Sequence, residues 1–157
     1  MKPKVYIETT IPSYLTAWPS RDIVRAGHQQ VTRDWWLKRK AHFSLYTSEL
    51  VFQEIKLGDP LAAQVRWDVI RDIPILNVTE DVDQIAREIL HKKIVPIKAE
   101  PDAYHIAIAA VHAVDYLMTW NCRHIANAEI FGKLQKLFSN NGLDCPVICT
   151  PIELIGS

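Results

Sequence analysis

Three carboxylates stand out because of what surrounds them. Glu8 follows the apolar run Val5-Tyr6-Ile7, at the end of a predicted strand. A central parallel strand, buried on both faces, delivers its last residue to the sheet edge where α/β sites form. Glu54 shares a predicted helical stripe with Leu50 and Leu57, at i, i+4 and i+7. Asp102 opens another helix, in line with Ile106, Ala109 and Ala113. Singly, each acid has an ordinary explanation. Asp102 complements the helix dipole, worth about 0.3–1 kcal/mol; Glu54 leans out to water; Glu8 pairs with a lysine such as Lys4. Together, three acids pointing inward from three elements repel unless a cation neutralises them. With oxygen donors and no Cys or His cluster, the matching ion is Mg²⁺ or Mn²⁺ rather than zinc.

The elements that must position these acids alternate along the chain. Lys4–Glu8, Phe43–Thr47, Pro74–Val78, Tyr116–Thr119 and Val147–Cys149 read as short apolar strands. Helices are predicted over about 11–41, interrupted near Trp18-Pro19, and over 48–56, with Ser48 as N-cap and Gly58-Asp59-Pro60 as the stop. Further helices follow over 60–72, from Thr79 or Glu80 to 92, over 101–113 with Pro101 at its first position, and over 129–139. Strands separated by helices predict a three-layer α/β/α sandwich with a mainly parallel central sheet.

Composition bounds the function. The 157 residues favour a single domain spanning residues 1–157. Eighteen basic residues against eighteen acidic leave no bulk charge for gripping a polyanion, so any such binding is local. None of the five glycines falls in a Gly-rich phosphate-loop pattern. That counts against a flavodoxin-like small-ligand protein. The odd set Cys122, Cys145 and Cys149 points to a reducing, cytoplasmic setting, and no apolar run is long enough for a membrane span.

The net zero conceals an asymmetry. Residues 21–42 hold six basic side chains against Asp22 and Asp34, with His28, Trp35, Trp36 and His42 interleaved. Residues 43–102 hold seven basic and eleven acidic side chains. The first stretch suits phosphate contact with base stacking, or a solvated helix with Trp36 packed inward. His105, three residues after Asp102, either supports a metal site from behind or is a partly buried histidine. Arg123 and His124 either touch phosphate or are loop residues.

Four blocks carry a family resemblance: Val5-Tyr6-Ile7-Glu8-Thr9-Thr10, Thr47 to Ile55, Asp102 to Ala110, and Asp115 to Asn121. In this order and spacing the sequence resembles PIN-domain proteins of the VapC-like toxin group in bacterial toxin–antitoxin systems. The resemblance implies a Mg²⁺- or Mn²⁺-dependent ribonuclease. Glu8, Glu54 and Asp102 then correspond to the first three acids and metal ligands, and Asn121 to the neighbourhood of the fourth. Thr9, Thr119, Arg123 and His124 are candidate substrate or scaffold contacts. The implied partners are an RNA substrate, a cognate antitoxin laid over the early helices, and a second copy in a homodimer. Two departures stand against full activity: Glu8 replaces the usual Asp, and Asn121 brings no charge. They keep open a second reading, a weakened module that binds nucleic acid or a protein partner.

Overall fold

The computed structural model describes residues 1–157. In chain order its elements are β1 (Lys4–Ile7), α1 (Thr10–Thr16), α2 (Ile23–Lys38), β2 (Ser44–Ser48), α3 (Glu49–Ile55), α4 (Pro60–Ile70), β3 (Ile75–Leu76), α5 (Glu80–His91), α6 (Glu100–Val111), β4 (Tyr116–Met118), α7 (Ala128–Asn140) and β5 (Val147–Cys149). The five strands form one sheet in the order β3-β2-β1-β4-β5, and every pairing is parallel. β1 is therefore central. It pairs with β2 through Tyr6↔Tyr46 and with β4 through Ile7↔Met118. Strand order reverses between β1 and β4, and in open α/β sheets the crevice at that reversal is the usual site.

The period-2 alternation of β1 builds two separate cores. Val5 and Ile7 face Ile11 of α1, Trp35 of α2 and Leu154 near the C-terminus. Tyr6 faces the larger core made by α3, α5, α6 and α7, including Val51, Ile89, Ile106 and Phe138. Leu117 and Met118 divide between the two cores in the same way. Helix α6 is buried on nearly every side from His105 to Ala110, which explains its run of alanine and isoleucine.

Several boundaries differ from the sequence expectation for identifiable reasons. The α1–α2 break spans residues 17–22, because Asp22 caps α2 by accepting from the Arg25 N–H at 2.8 Å. Buried Gln29 pins this loop, accepting from the Ser20 N–H and donating to the Trp18 carbonyl. β3 shrinks to two residues because it is an edge strand preceded by Pro74, which has no N–H to donate. Ser48 caps α3 as expected, accepting from the Val51 N–H at 3.3 Å. On α2 it is Trp35 that packs inward, 1% exposed and donating to the Leu154 carbonyl, while Trp36 stays half-buried under Lys40.

Helices α5 and α6 end on residues with left-handed backbone, Lys93 at φ 57° and Ala113 at φ 54°. Both ends close with the following N–H reaching back, Ile94 to the Ile89 carbonyl and Val114 to the Ala109 carbonyl. Glycine holds this conformation without the Cβ clash. Ala113→Gly and Lys93→Gly are each expected to stabilise the fold by about 1 kcal/mol. Urea denaturation midpoints compared at equal slope check this.

Candidate functional site

Glu8 leaves β1 beside the exit of β4 and is 3% exposed. Its Oε1 accepts three hydrogen bonds: from the Thr119 hydroxyl at 2.5 Å, the Thr10 hydroxyl at 2.6 Å and the Thr10 N–H at 3.1 Å. Both hydroxyls accept in turn from the β4 exit loop. Thr10 Oγ1 takes the Trp120 N–H at 2.7 Å and Thr119 Oγ1 takes the Asn121 N–H at 2.9 Å. The alternative, an ion pair with the Lys4 side chain, is not formed.

Glu54 reaches the same region from α3. Its sequence stripe does not explain this, because Leu57 lies beyond the helix and is exposed. The buried residues of α3 are Val51 and Ile55, which flank Glu54 at i−3 and i+1. Glu54 Oε1 accepts from the Thr9 hydroxyl at 2.7 Å and contacts His105 Nε2 at 2.6 Å. His105 is fully buried, and its Nδ1 lies 2.7 Å from the Tyr6 hydroxyl, which lies 2.8 Å from Ser48 Oγ.

Asp102 stands in the first turn of α6, where its position at the helix end keeps it open. Its Oδ2 lies 3.1 Å from Nδ1 of His124, not of His105. The His124 N–H in turn donates to Asn121 Oδ1 at 3.0 Å. Asn121 therefore acts on this region through the loop it closes. The Arg123 side chain is exposed, and only its carbonyl is engaged, by Asn127.

The three predicted acids lie on the same side of the molecule, near enough to His105 for each to act on its charge, and each is held by one oxygen. Glu8 Oε2, Glu54 Oε2 and Asp102 Oδ1 receive no hydrogen bond from the protein. No buried side-chain oxygen or nitrogen lacks a partner, so these three oxygens open to solvent. No three carboxylate, imidazole or thiolate side chains converge closely enough to enclose an ion. The donor chemistry is still that of Mg²⁺, which is usually bound by one or two carboxylates completed with waters and phosphate oxygens.

The electrostatics centre on His105. Burial pulls its pKa down, but the Glu54 hydrogen bond and the charges of Glu8, Glu54 and Asp102 together outweigh burial and raise it. For Glu54, burial pushes the pKa up, while the hydrogen bond and charge of His105 and the Thr9 hydroxyl bring it below the usual value. Burial raises the Tyr6 phenol well above its usual range; Ser48 opposes the shift and the charges of Glu8 and Glu54 add to it.

The partners that hold these acids were not singled out in the sequence as such. Thr10 went unsingled, and Thr9 and Thr119 offered only hydroxyls at strand ends. The Glu8-Thr9-Thr10 tripeptide was the available signal, since its two adjacent hydroxyls serve two different acids.

No family model and no curated protein matches the chain by sequence. A solved structure of VapBC2 from Rickettsia felis, bound to a DNA fragment from the promoter, matches in shape. The TM-score is 0.59 over 94% of this chain and 98% of that one, at 13% identity. At that identity the likeness establishes a shared PIN-like α/β fold.

The coupled pair sets a pH window. His105, raised above 6.5, contributes stability that is complete below 6.5 and lost as pH rises through its folded value. Glu54, lowered below 4.5, contributes stability present above 4.5 and lost as pH falls through its folded value. Wild type is therefore expected to gain most over Glu54→Gln between pH 4.5 and 6.5, and less on either side. Urea midpoints of both proteins from acid to alkaline pH check this.

Proposed function

We propose that the chain is a metal-assisted nuclease that hydrolyses phosphodiester bonds in RNA and is controlled by a cognate antitoxin. The observation that supports this reading is the placement of Glu8, Glu54 and Asp102 around the strand-order reversal of an all-parallel sheet, each with one oxygen free of protein hydrogen bonds. Carboxylates so placed suit a divalent cation and a phosphate better than an organic ligand.

Glu8 and Asp102 would hold Mg²⁺ or Mn²⁺, with Glu54 as a further ligand, direct or through water. When bound, the ion supplies positive charge against the phosphate oxygens and acidifies a coordinated water. The chain's own residues do the rest. Thr119 and Thr10 fix the Glu8 carboxylate so that one oxygen stays outward. Where Glu54 is not a direct ligand, its Oε2 would instead hold the attacking water by accepting its hydrogen bond, and the lowered pKa keeps the carboxylate ionised for this. His124 lies against Asp102 at the rim, where a phosphate would pass.

Arg21, Arg25, Arg33, Lys38, Arg39 and Lys40 form no ion pair with any carboxylate, so the basic stretch remains available to a polyanion. The early helices also support a protein partner. Trp18 is 92% exposed and Ile23 84%, beside exposed Val24, and this indole is the anchor an antitoxin would cover. A homodimer in the cytoplasm completes the proposal.

The second reading, a module that binds without cleaving, is favoured by one observation. No three ligating side chains enclose an ion, and Asn121 adds none because its carbonyl oxygen is taken by His124. Incubation of purified protein with RNA, with and without Mn²⁺, separates the two. Cleavage is expected with Mn²⁺ and not with a chelator, and Asp102→Ala is expected to lose about 100-fold or more. Absence of Mn²⁺-dependent cleavage after removal of any copurifying partner leaves the binding module. Cleavage by Asp102→Ala at the wild-type rate overturns the site assignment.

A further inference from the structure

The buried chain Ser48–Tyr6–His105 has no part in the chemistry above, yet it ends on Glu54. We propose that His105 is a positioning residue for Glu54, seated by Tyr6 and Ser48 from behind, and that its task is to leave Glu54 with a single outward oxygen. This rests on the reading of Glu54 as part of the metal-assisted site.

Packing alone does not account for His105. It is fully buried on a helix whose other buried residues from Ala103 to Ala110 are all alanine or isoleucine. A leucine there would fill the core without the cost of burying an imidazole. The polar alternative is fully satisfied instead. Nδ1 meets the Tyr6 hydroxyl at 2.7 Å, Nε2 meets Glu54 Oε1 at 2.6 Å, and the Tyr6 hydroxyl meets Ser48 Oγ at 2.8 Å. Tyr6, at the middle of the central strand, and Ser48, capping α3, are both fully buried. The chain is anchored in the stiffest part of the fold.

The direction of these bonds is fixed at the end that matters. An ionised carboxylate only accepts, so Nε2 carries the proton whichever state His105 adopts. With neutral imidazole, the Val51 N–H donates to Ser48, Ser48 to Tyr6, Tyr6 to Nδ1, and Nε2–H to Glu54. With imidazolium, Nδ1–H donates to Tyr6 and Tyr6 to Ser48, while Nε2–H still faces Glu54. The positioning therefore does not depend on titration.

One donor leaves a carboxylate free to swing about its bond; two donors from different elements do not. His105 from α6 and Thr9 from the start of α1 meet on the same oxygen, Oε1. Glu54 is thereby excluded from chelating an ion with both oxygens, and Oε2 is held outward.

The test uses metal-free full-length protein and Mn²⁺ as the probe, read by the electron paramagnetic resonance of free Mn²⁺. His105→Leu removes the donor and His105→Gln keeps an N–H at the same reach. Circular dichroism confirms folding. His105→Leu is expected to weaken Mn²⁺ binding about tenfold or more, with His105→Gln restoring most of it. A folded His105→Leu that binds Mn²⁺ like wild type overturns the proposal. If His105→Leu does not fold, Tyr6→Phe carries the test, with the same direction expected and unchanged affinity overturning it.

If wild type itself binds no Mn²⁺, the metal-assisted reading fails, and the ¹³C resonance of the Glu54 carboxyl in metal-free protein decides the positioning role separately. A resonance shared by wild type and His105→Gln but displaced in His105→Leu supports it. One unchanged across all three overturns it, and if His105→Leu is unfolded the same comparison is made with Tyr6→Phe.

Discussion

Three carboxylates can share one sheet edge only if something other than themselves answers their charge. Here the answer comes from hydroxyls and imidazoles. Thr10 and Thr119 donate to Glu8, Thr9 and His105 to Glu54, and His124 lies against Asp102. Hydrogen bonds to ionised acceptors are about twice as strong as neutral ones, so these contacts are also strong ties. Each joins two elements. Thr119 ties the end of β4 to the end of β1, Thr9 ties the start of α1 to α3, and His105 ties α6 to α3. The residues that make the site tolerable also hold the layers in register.

That arrangement divides the molecule in two. Inside, every buried polar side-chain atom has a partner, and such fully satisfied networks are rigid and specific. Outside, the α1–α2 region carries exposed apolar side chains and basic residues with no ion pairs. The buried Gln29 holds the Trp18 loop from beneath, so the exposed surface is presented on a firm support rather than on a floppy one. Rigidity at the acids and exposure at the early helices suit a small substrate group at one place and a large partner at the other.

Much of this was legible in the sequence, and the remainder follows a pattern. The strands, the alternation with helices and the Ser48 cap are local properties, written in short runs of residues. Glu8 is conspicuous for the same reason, as a charged residue at the end of an apolar run. The partners of the acids were not legible, because partnership is set by register. Asp102 and His105 are three apart on one helix and invite pairing, yet Asp102 meets His124 and His105 meets Glu54. On a helix buried on nearly every side, spacing does not select one inward face, so i+3 carried no information. The tryptophans show the same limit from outside. Trp35 and Trp36 are adjacent, and only the packing of α2 against β1 and the C-terminal segment decides that Trp35 goes inside.

The central place of β1 has a consequence for biosynthesis. β1 is made before both of its neighbours, β2 and the much later β4. Glu8 and Thr119 are separated by 111 residues, and Glu8 gains its closest donor only when β4 has been made and docked. Long-range parallel pairing is slow, because the intervening chain must first be gathered. A nascent or truncated chain that ends before β4 has Glu8 without that donor and lacks the crevice altogether. Completion of the acid edge thus waits until β4 has been synthesised and docked against β1.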